Sequence, residues 1–179
     1  YRLLNAAVSE KRERLSGILR TIAATGMRIG ELRYLTVETL SRQKIEIHFK
    51  GKQRVILLAR SLVIFLRDYC RRNRITSGII FATKNGNPVD RRNIWAEMKE
   101  LCEPARVLPS KVFPHNLRHL FARCFYERER DLVRLADYLG HSSIETTRRY
   151  TMITSEEACA RELELGLAGN ESWGGAEKK

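Results

Sequence analysis

Apolar residues recur at helical spacing through residues 3–25, where Leu15, Ile18, Leu19 and Ile22 fall on one face. One helix is expected there, stopped by Thr25 and Gly26. RIGELRYL predicts a second, short helix with Ile29, Leu32 and Leu35 turned inward and with Arg28 and Glu31 close together on its polar side. The period then changes. IEIHF alternates, with Ile45, Ile47 and Phe49 on one face and Glu46, His48 and Lys50 on the other, the pattern of a half-buried strand. KGKQ turns the chain and RVILL supplies the return strand, giving a small hairpin with a basic tip.

Helical spacing resumes at about 61–72, through Leu62, Phe65, Leu66 and Tyr69, and at 90–101, through Ile94, Met98 and Leu101 behind the cap Asp90. Between them, GIIFATKNGNPV holds a short apolar run and an Asn-Gly turn. Pro114 opens a helix through HNLRHLFARCFY that sets His115, Arg118 and His119 on one polar face. DLVRLADYLG reads as a further helix, capped by Asp131 and closed by Gly140. Ser142 and Glu145 fit a capping box for the next one, which bears Tyr150, with His141 in the tight turn between. A last helix is expected from Ser155 to about Leu167, followed by the polar, Gly-rich tail GNESWGGAEKK, whose composition predicts disorder. The sum is a mainly α domain with a small antiparallel β-sheet, an α+β fold. The domain is expected over residues 1–155, and residues 156–179 form a C-terminal helix and tail.

Charge narrows the class of partner. With 33 Lys+Arg against 21 Asp+Glu the net charge is +12, spread along the whole chain, which favours a polyanion such as nucleic acid over a membrane surface. No apolar stretch approaches the roughly 20 residues a membrane span needs, and no signal-peptide pattern opens the sequence. A soluble, cytoplasmic protein is expected. Cys70, Cys102, Cys124 and Cys159 are widely spaced, which suggests four reduced and largely buried thiols rather than a zinc site or disulfides. His115 and His119 are spaced like a metal pair but lack ligand partners nearby, so no metal is expected.

Several residues suit phosphate chemistry. A phosphodiester repels nucleophiles and needs its phosphoryl oxygens neutralised in the transition state. Arg28 and Arg118 offer planar, permanently charged forks for that purpose. A lysine at a hairpin tip can protonate a leaving oxygen, and His115 can accept or relay a proton near neutral pH. Tyr150 is a weak nucleophile at its ordinary pKa near 10, but neighbouring cations favour its phenolate.

Order and spacing carry more weight than any one residue. ATGMRIGEL, the basic hairpin, HNLRH, LGH and a tyrosine nine residues after His141 occur in that sequence. The chain in this respect resembles the catalytic domain of the tyrosine recombinase and phage integrase family over roughly residues 1–155. The resemblance implies that Arg28 and Arg118 bind phosphate, that Lys50 is the general acid, favoured over Lys52, and that His115 transfers a proton. It implies that His141 hydrogen-bonds the phosphate, that Tyr150 is the nucleophile and that Glu31 orients Arg28. It further implies double-stranded DNA as substrate, a 3′-phosphotyrosyl intermediate, no cofactor, a homo-tetramer on DNA that is monomeric when free, and accessory DNA-bending proteins. The family's usual N-terminal DNA-clamping domain is not in this sequence. Two other activities stay open on the same residues: type IB topoisomerase-like relaxation and DNA binding without catalysis.

Overall fold

A computed structural model describes residues 2–49, 52–140 and Thr147. The first helical run is two helices, α1 (Arg2–Ser9) and α2 (Glu13–Thr25), which corrects the single helix expected over 3–25. Residues 9–14 read SEKRER, so no apolar side chain there can hold a continuous helix to the core. Lys11 turns the chain at φ 54°, and the amides of Lys11 and Arg12 close the carbonyls of Val8 and Ala7. No side chain caps α2, a deficit of about 1 kcal/mol. Burial of Leu15, Ile18, Leu19 and Ile22, about 2 kcal/mol each, outweighs it.

After Gly26, at φ 61°, the RIGELRYL segment forms a 3-10 helix (Ile29–Tyr34) that buries Leu32, with Leu35 buried just beyond its end. An unforeseen helix, α3 (Val37–Arg42), follows. It is set by its start: Thr36 Oγ1 accepts from the Thr39 amide at 3.3 Å, and Thr39 Oγ1 accepts from the Thr36 amide at 3.0 Å. Only Leu40 within it is buried, so it leaves almost no periodic signal.

Strands β1 (Lys44–Phe49) and β2 (Lys52–Leu57) pair antiparallel, with Ile45 opposite Ile56, Ile47 opposite Arg54 and Phe49 opposite Lys52. The return strand therefore begins two residues earlier than the KGKQ turn implied. Beyond it come α4 (Arg60–Arg72), α5 (Arg91–Glu100), α6 (Pro114–Glu129) and α7 (Leu132–Leu139). Asp90 and Asp131 cap α5 and α7 as expected, and Pro114 opens α6. The Asn-Gly turn is present, with Gly86 at φ 77°.

The described residues are thus mostly helical with one two-stranded antiparallel sheet, as the pattern indicated. A large core joins α1, α2, α4, α5 and the inner face of the hairpin, and a smaller cluster of Ala122, Leu135 and Leu139 lies under Phe121 and Phe125. Cys70 and Cys102 are buried, but Cys124 is exposed, against the expectation for it. No helix among the described residues is long and apolar enough to cross a membrane. The helix expected to bear Tyr150, the helix from Ser155 and the polar tail lie outside the described residues, apart from helical, buried Thr147.

Candidate active site

A cleft of about 1210 Å³ opens between the 3-10 helix, β2, the start of α5, the first turns of α6 and the end of α7. Arg28, Arg33, Arg54, Arg91 and Arg118 line it against two carboxylates, Glu31 and Asp137, so its described wall carries three more positive than negative charges. Such a wall attracts anions, and its concavity strengthens the field.

The elements explain how arginines can gather without unfolding the site. Arg28 is the residue before the 3-10 helix, whose third residue is Glu31. Its Nη1 meets Glu31 Oε1 at 2.9 Å, and its backbone N–H donates to Glu31 Oε2 at 2.7 Å. The closeness expected for this pair is therefore a two-point lock. About half of the Arg28 side chain (48 %) remains exposed towards the cleft.

Arg118 is the opposite case, only 2 % exposed. It donates from Nη1 to the Gly26 carbonyl at 2.6 Å and from Nη2 to the Leu139 carbonyl at 2.7 Å. Those carbonyls stand at the C-terminal ends of α2 and α7, where helix carbonyls lack intrahelical partners and carry partial negative charge. A buried guanidinium is tolerable there because its charge meets oriented carbonyls. Arg28 Nη2 adds a longer contact of 3.4 Å to the Gly140 carbonyl at the same end of α7.

Arg54, the first residue of the expected return strand RVILL, is a member of the site that the sequence did not single out. It lies opposite Ile47 on the inner face of the hairpin, with 9 % of its side chain exposed. Nη2 donates to Glu31 Oε2 at 2.6 Å and Nη1 to the Leu139 carbonyl. Burial lowers its pKa from the ordinary guanidinium value, Glu31 opposes that shift, and Arg28 adds to it. Tyr138 fixes the same junction, donating its hydroxyl to the Leu57 carbonyl at 3.1 Å.

His115, one residue into α6, lines the cleft, and its ring meets that of His119 edge-on with centroids 4.5 Å apart. Its pKa is lowered from 6.5, first by desolvation and then by Arg118 and Arg28; that of His119 is lowered by desolvation, then by His115 and Arg118. Both rings thus favour the neutral form that accepts a proton. A stability effect follows with definite sign. In the unfolded chain these histidines titrate near the ordinary 6.5, so just below that pH the unfolded state binds more protons than the fold. Stability is fully present above the unfolded value and falls as pH drops through the folded ones. Melting between about pH 7 and pH 5.5 should therefore show a falling midpoint, flattened in the His115→Asn/His119→Asn variant. Glu38, Glu46 and Asp68, all with lowered pKa, contribute only at more acidic pH.

Of the six residues expected at the site, Arg28, His115 and Arg118 line this one cleft. Lys50, His141 and Tyr150 lie outside the described residues. In the sequence Lys50 directly follows β1, and His141 directly follows Gly140 at the end of α7, whose carbonyl lies near Arg28.

A helical domain with a basic hairpin, and arginines locked around a cleft at the ends of α2 and α7, defines the architecture of a tyrosine recombinase catalytic domain. The chain belongs to the phage integrase family, whose model matches residues 1–157. It is 32 % identical over 152 residues to the tyrosine recombinase XerA of Pyrococcus furiosus, covering 81 % of this chain and 51 % of that protein. The chain thus spans about half the length of this curated relative. The crystal structure of the XerH site-specific recombinase in its pre-cleavage complex with difH substrate matches at a TM-score of 0.71 and 25 % identity, over 89 % of this chain and 50 % of that one. The catalytic domain of bacteriophage HP1 integrase matches at a TM-score of 0.64 and 26 % identity, covering 94 % of both chains.

Proposed function

We propose that the chain is the strand-cleaving domain of a site-specific DNA recombinase. The Tyr150 oxygen attacks the scissile phosphorus, the bond to the 5′ oxygen breaks, and a 3′-phosphotyrosyl link and a free 5′-hydroxyl result. Attack of a partner strand's 5′-hydroxyl reverses the step and releases Tyr150. The observation that carries this reading is the convergence of Arg28 and Arg118 on one cleft beside His115. Charge accumulates on the phosphoryl oxygens in the transition state, and fixed cations meet it without reorganising. Glu31 and the helix-end carbonyls do the fixing.

The remaining roles complete the proton balance. Lys50 donates a proton to the departing 5′ oxygen, His115 takes one from the attacking phenol, and His141 hydrogen-bonds a phosphoryl oxygen. Double-stranded DNA is the substrate, and the net charge of +12 favours its binding. A tetramer assembled on two sites carries out the exchange, from protein that is monomeric when free. The names of the relatives favour exchange over simple relaxation: XerA is a tyrosine recombinase and XerH is a site-specific recombinase bound to a defined substrate.

The test is adduct mapping. Nicked duplexes are selected by this chain from a pool with randomised inverted repeats, then incubated with it in chelator, denatured and digested with trypsin. The expected result is a nucleotide mass on the peptide 150–161, which contains one tyrosine, Tyr150. Selected duplexes that bind but leave this peptide unmodified would sink the cleavage reading.

A further inference from the structure

Arg54 has no part in the chemistry proposed above, yet it is the most enclosed link between the groups that have one. We propose that Arg54 is a positioning residue for strand cleavage: from the hairpin it braces Glu31, and through Glu31 the Arg28 guanidinium, against the C-terminal end of α7. The inference rests on the recombinase reading of the cleft.

Each contact points the same way. Glu31 has two oxygens and, among the described residues, three donors: Oε1 takes Arg28 Nη1 at 2.9 Å, while Oε2 takes the Arg28 amide at 2.7 Å and Arg54 Nη2 at 2.6 Å. Arg54 is therefore the only one of those donors that comes from another element, and it stops the carboxylate from turning with Arg28 as a unit. Its Nη1 reaches the Leu139 carbonyl, which also accepts from Arg118 Nη2 at 2.7 Å. One side chain thus shares an acceptor with each of the two candidate phosphate-binding arginines. The hairpin it belongs to leads to Lys50, and the helix end it grips leads to His141.

The surroundings are built for this side chain. A Cβ on Gly140 would stand 2.6 Å from Arg54 Cδ and 3.3 Å from Nη1, so the glycine leaves the passage through which the arginine reaches α7. Arg54 Nε is buried with no hydrogen-bond partner among the described residues, a penalty that an arginine serving only as surface charge would not incur. A lysine could not replace it, because one ammonium cannot span acceptors on two elements as the guanidinium fork does.

The experiment measures adduct formation in single turnover at saturating protein on the selected nicked duplexes. Arg54→Gln should slow adduct formation about ten-fold or more while the half-saturating DNA concentration changes less than about two-fold, since the loss is of alignment rather than of phosphate contacts. In a Glu31→Gln background the same substitution should slow it by less than about three-fold, because Arg54 acts through that carboxylate. Losses that multiply in the double variant would show that Arg54 acts independently and would overturn the proposal. Arg54→Lys keeps the buried charge and should also be slow; a wild-type rate in that variant overturns the proposal too, and it carries the test if the glutamine variant does not fold. An unaltered chain that forms no adduct on Tyr150 overturns the recombinase reading and this inference with it. An unaltered chain that does so, with both Arg54 variants equally fast, overturns this inference alone.

Discussion

Replacing Arg118 with alanine is expected to slow strand cleavage by about a thousand-fold and to lower the melting temperature as well. The rate effect comes from removing a fixed cation from the wall where phosphoryl charge accumulates. The stability effect has a separate source. Arg118 is 2 % exposed and joins three helices: rooted in α6, it bonds the Gly26 carbonyl at the end of α2 and the Leu139 carbonyl at the end of α7. Truncation removes a donor from both carbonyls and leaves a cavity, a loss of about 3 kcal/mol, or roughly 10 °C in a domain of this size. Arg118→Lys separates the two effects. It keeps the charge but cannot bond both carbonyls, so a smaller loss of stability should accompany a loss of rate of about a hundred-fold. Single-turnover adduct formation and thermal melting on both variants check this. A lysine variant that melts lower yet cleaves at the original rate would reduce Arg118 to a structural tie.

What the sequence made legible follows from where its information was dense. Helix α2 and strand β1 each repeat one period with buried residues at nearly every expected position, so their faces could be read directly. Asp90, Pro114 and Asp131 mark helix starts through local chemistry that needs no tertiary context. Helix α3 offered neither signal, since it buries only Leu40 and its start depends on a Thr36–Thr39 exchange that resembles ordinary loop composition. The break at Lys11 is likewise tertiary in origin, because polar residues 9–14 would tolerate a helix as readily as a turn. At the site, motif order picked out Arg28, His115 and Arg118, but not their different environments. That Arg118 is buried and Arg28 half exposed depends on which helix ends lie nearby. Arg54 was within reach: a return strand paired with Ile56 opposite Ile45 sets residues 54 and 56 on the face of Ile45 and Ile47, whereas the KGKQ turn hid that register.

Gly26→Ala should be among the most destabilising single substitutions in the chain, although it deletes no interaction. Gly26 sits at φ 61°, left-handed backbone that costs an alanine about 1 kcal/mol or more. An added Cβ would also run into Phe121, meeting Cδ1 and lying 2.9 Å from both Cγ and Cε1. Phe121 is pinned between Phe125, at 5.9 Å between ring centroids, and Tyr138, at 5.4 Å, so it cannot swing aside without disturbing the smaller core. Overpacking of that kind costs about 1–3 kcal/mol, for a total near 3 kcal/mol and a melting temperature lower by about 10 °C. The damage should reach the site, because the Gly26 carbonyl is a hydrogen-bond acceptor for Arg118. Cleavage should therefore slow even well below the melting temperature. Gly30→Ala is the matched control in the neighbouring 3-10 helix: a Cβ there meets nothing within 4 Å, and stability should stay within about 0.5 kcal/mol. If Gly26→Ala melted with Gly30→Ala and the unaltered chain, the close packing of α2 against α6 at this point would be refuted. The route from the end of α2 to Arg118 would fall with it.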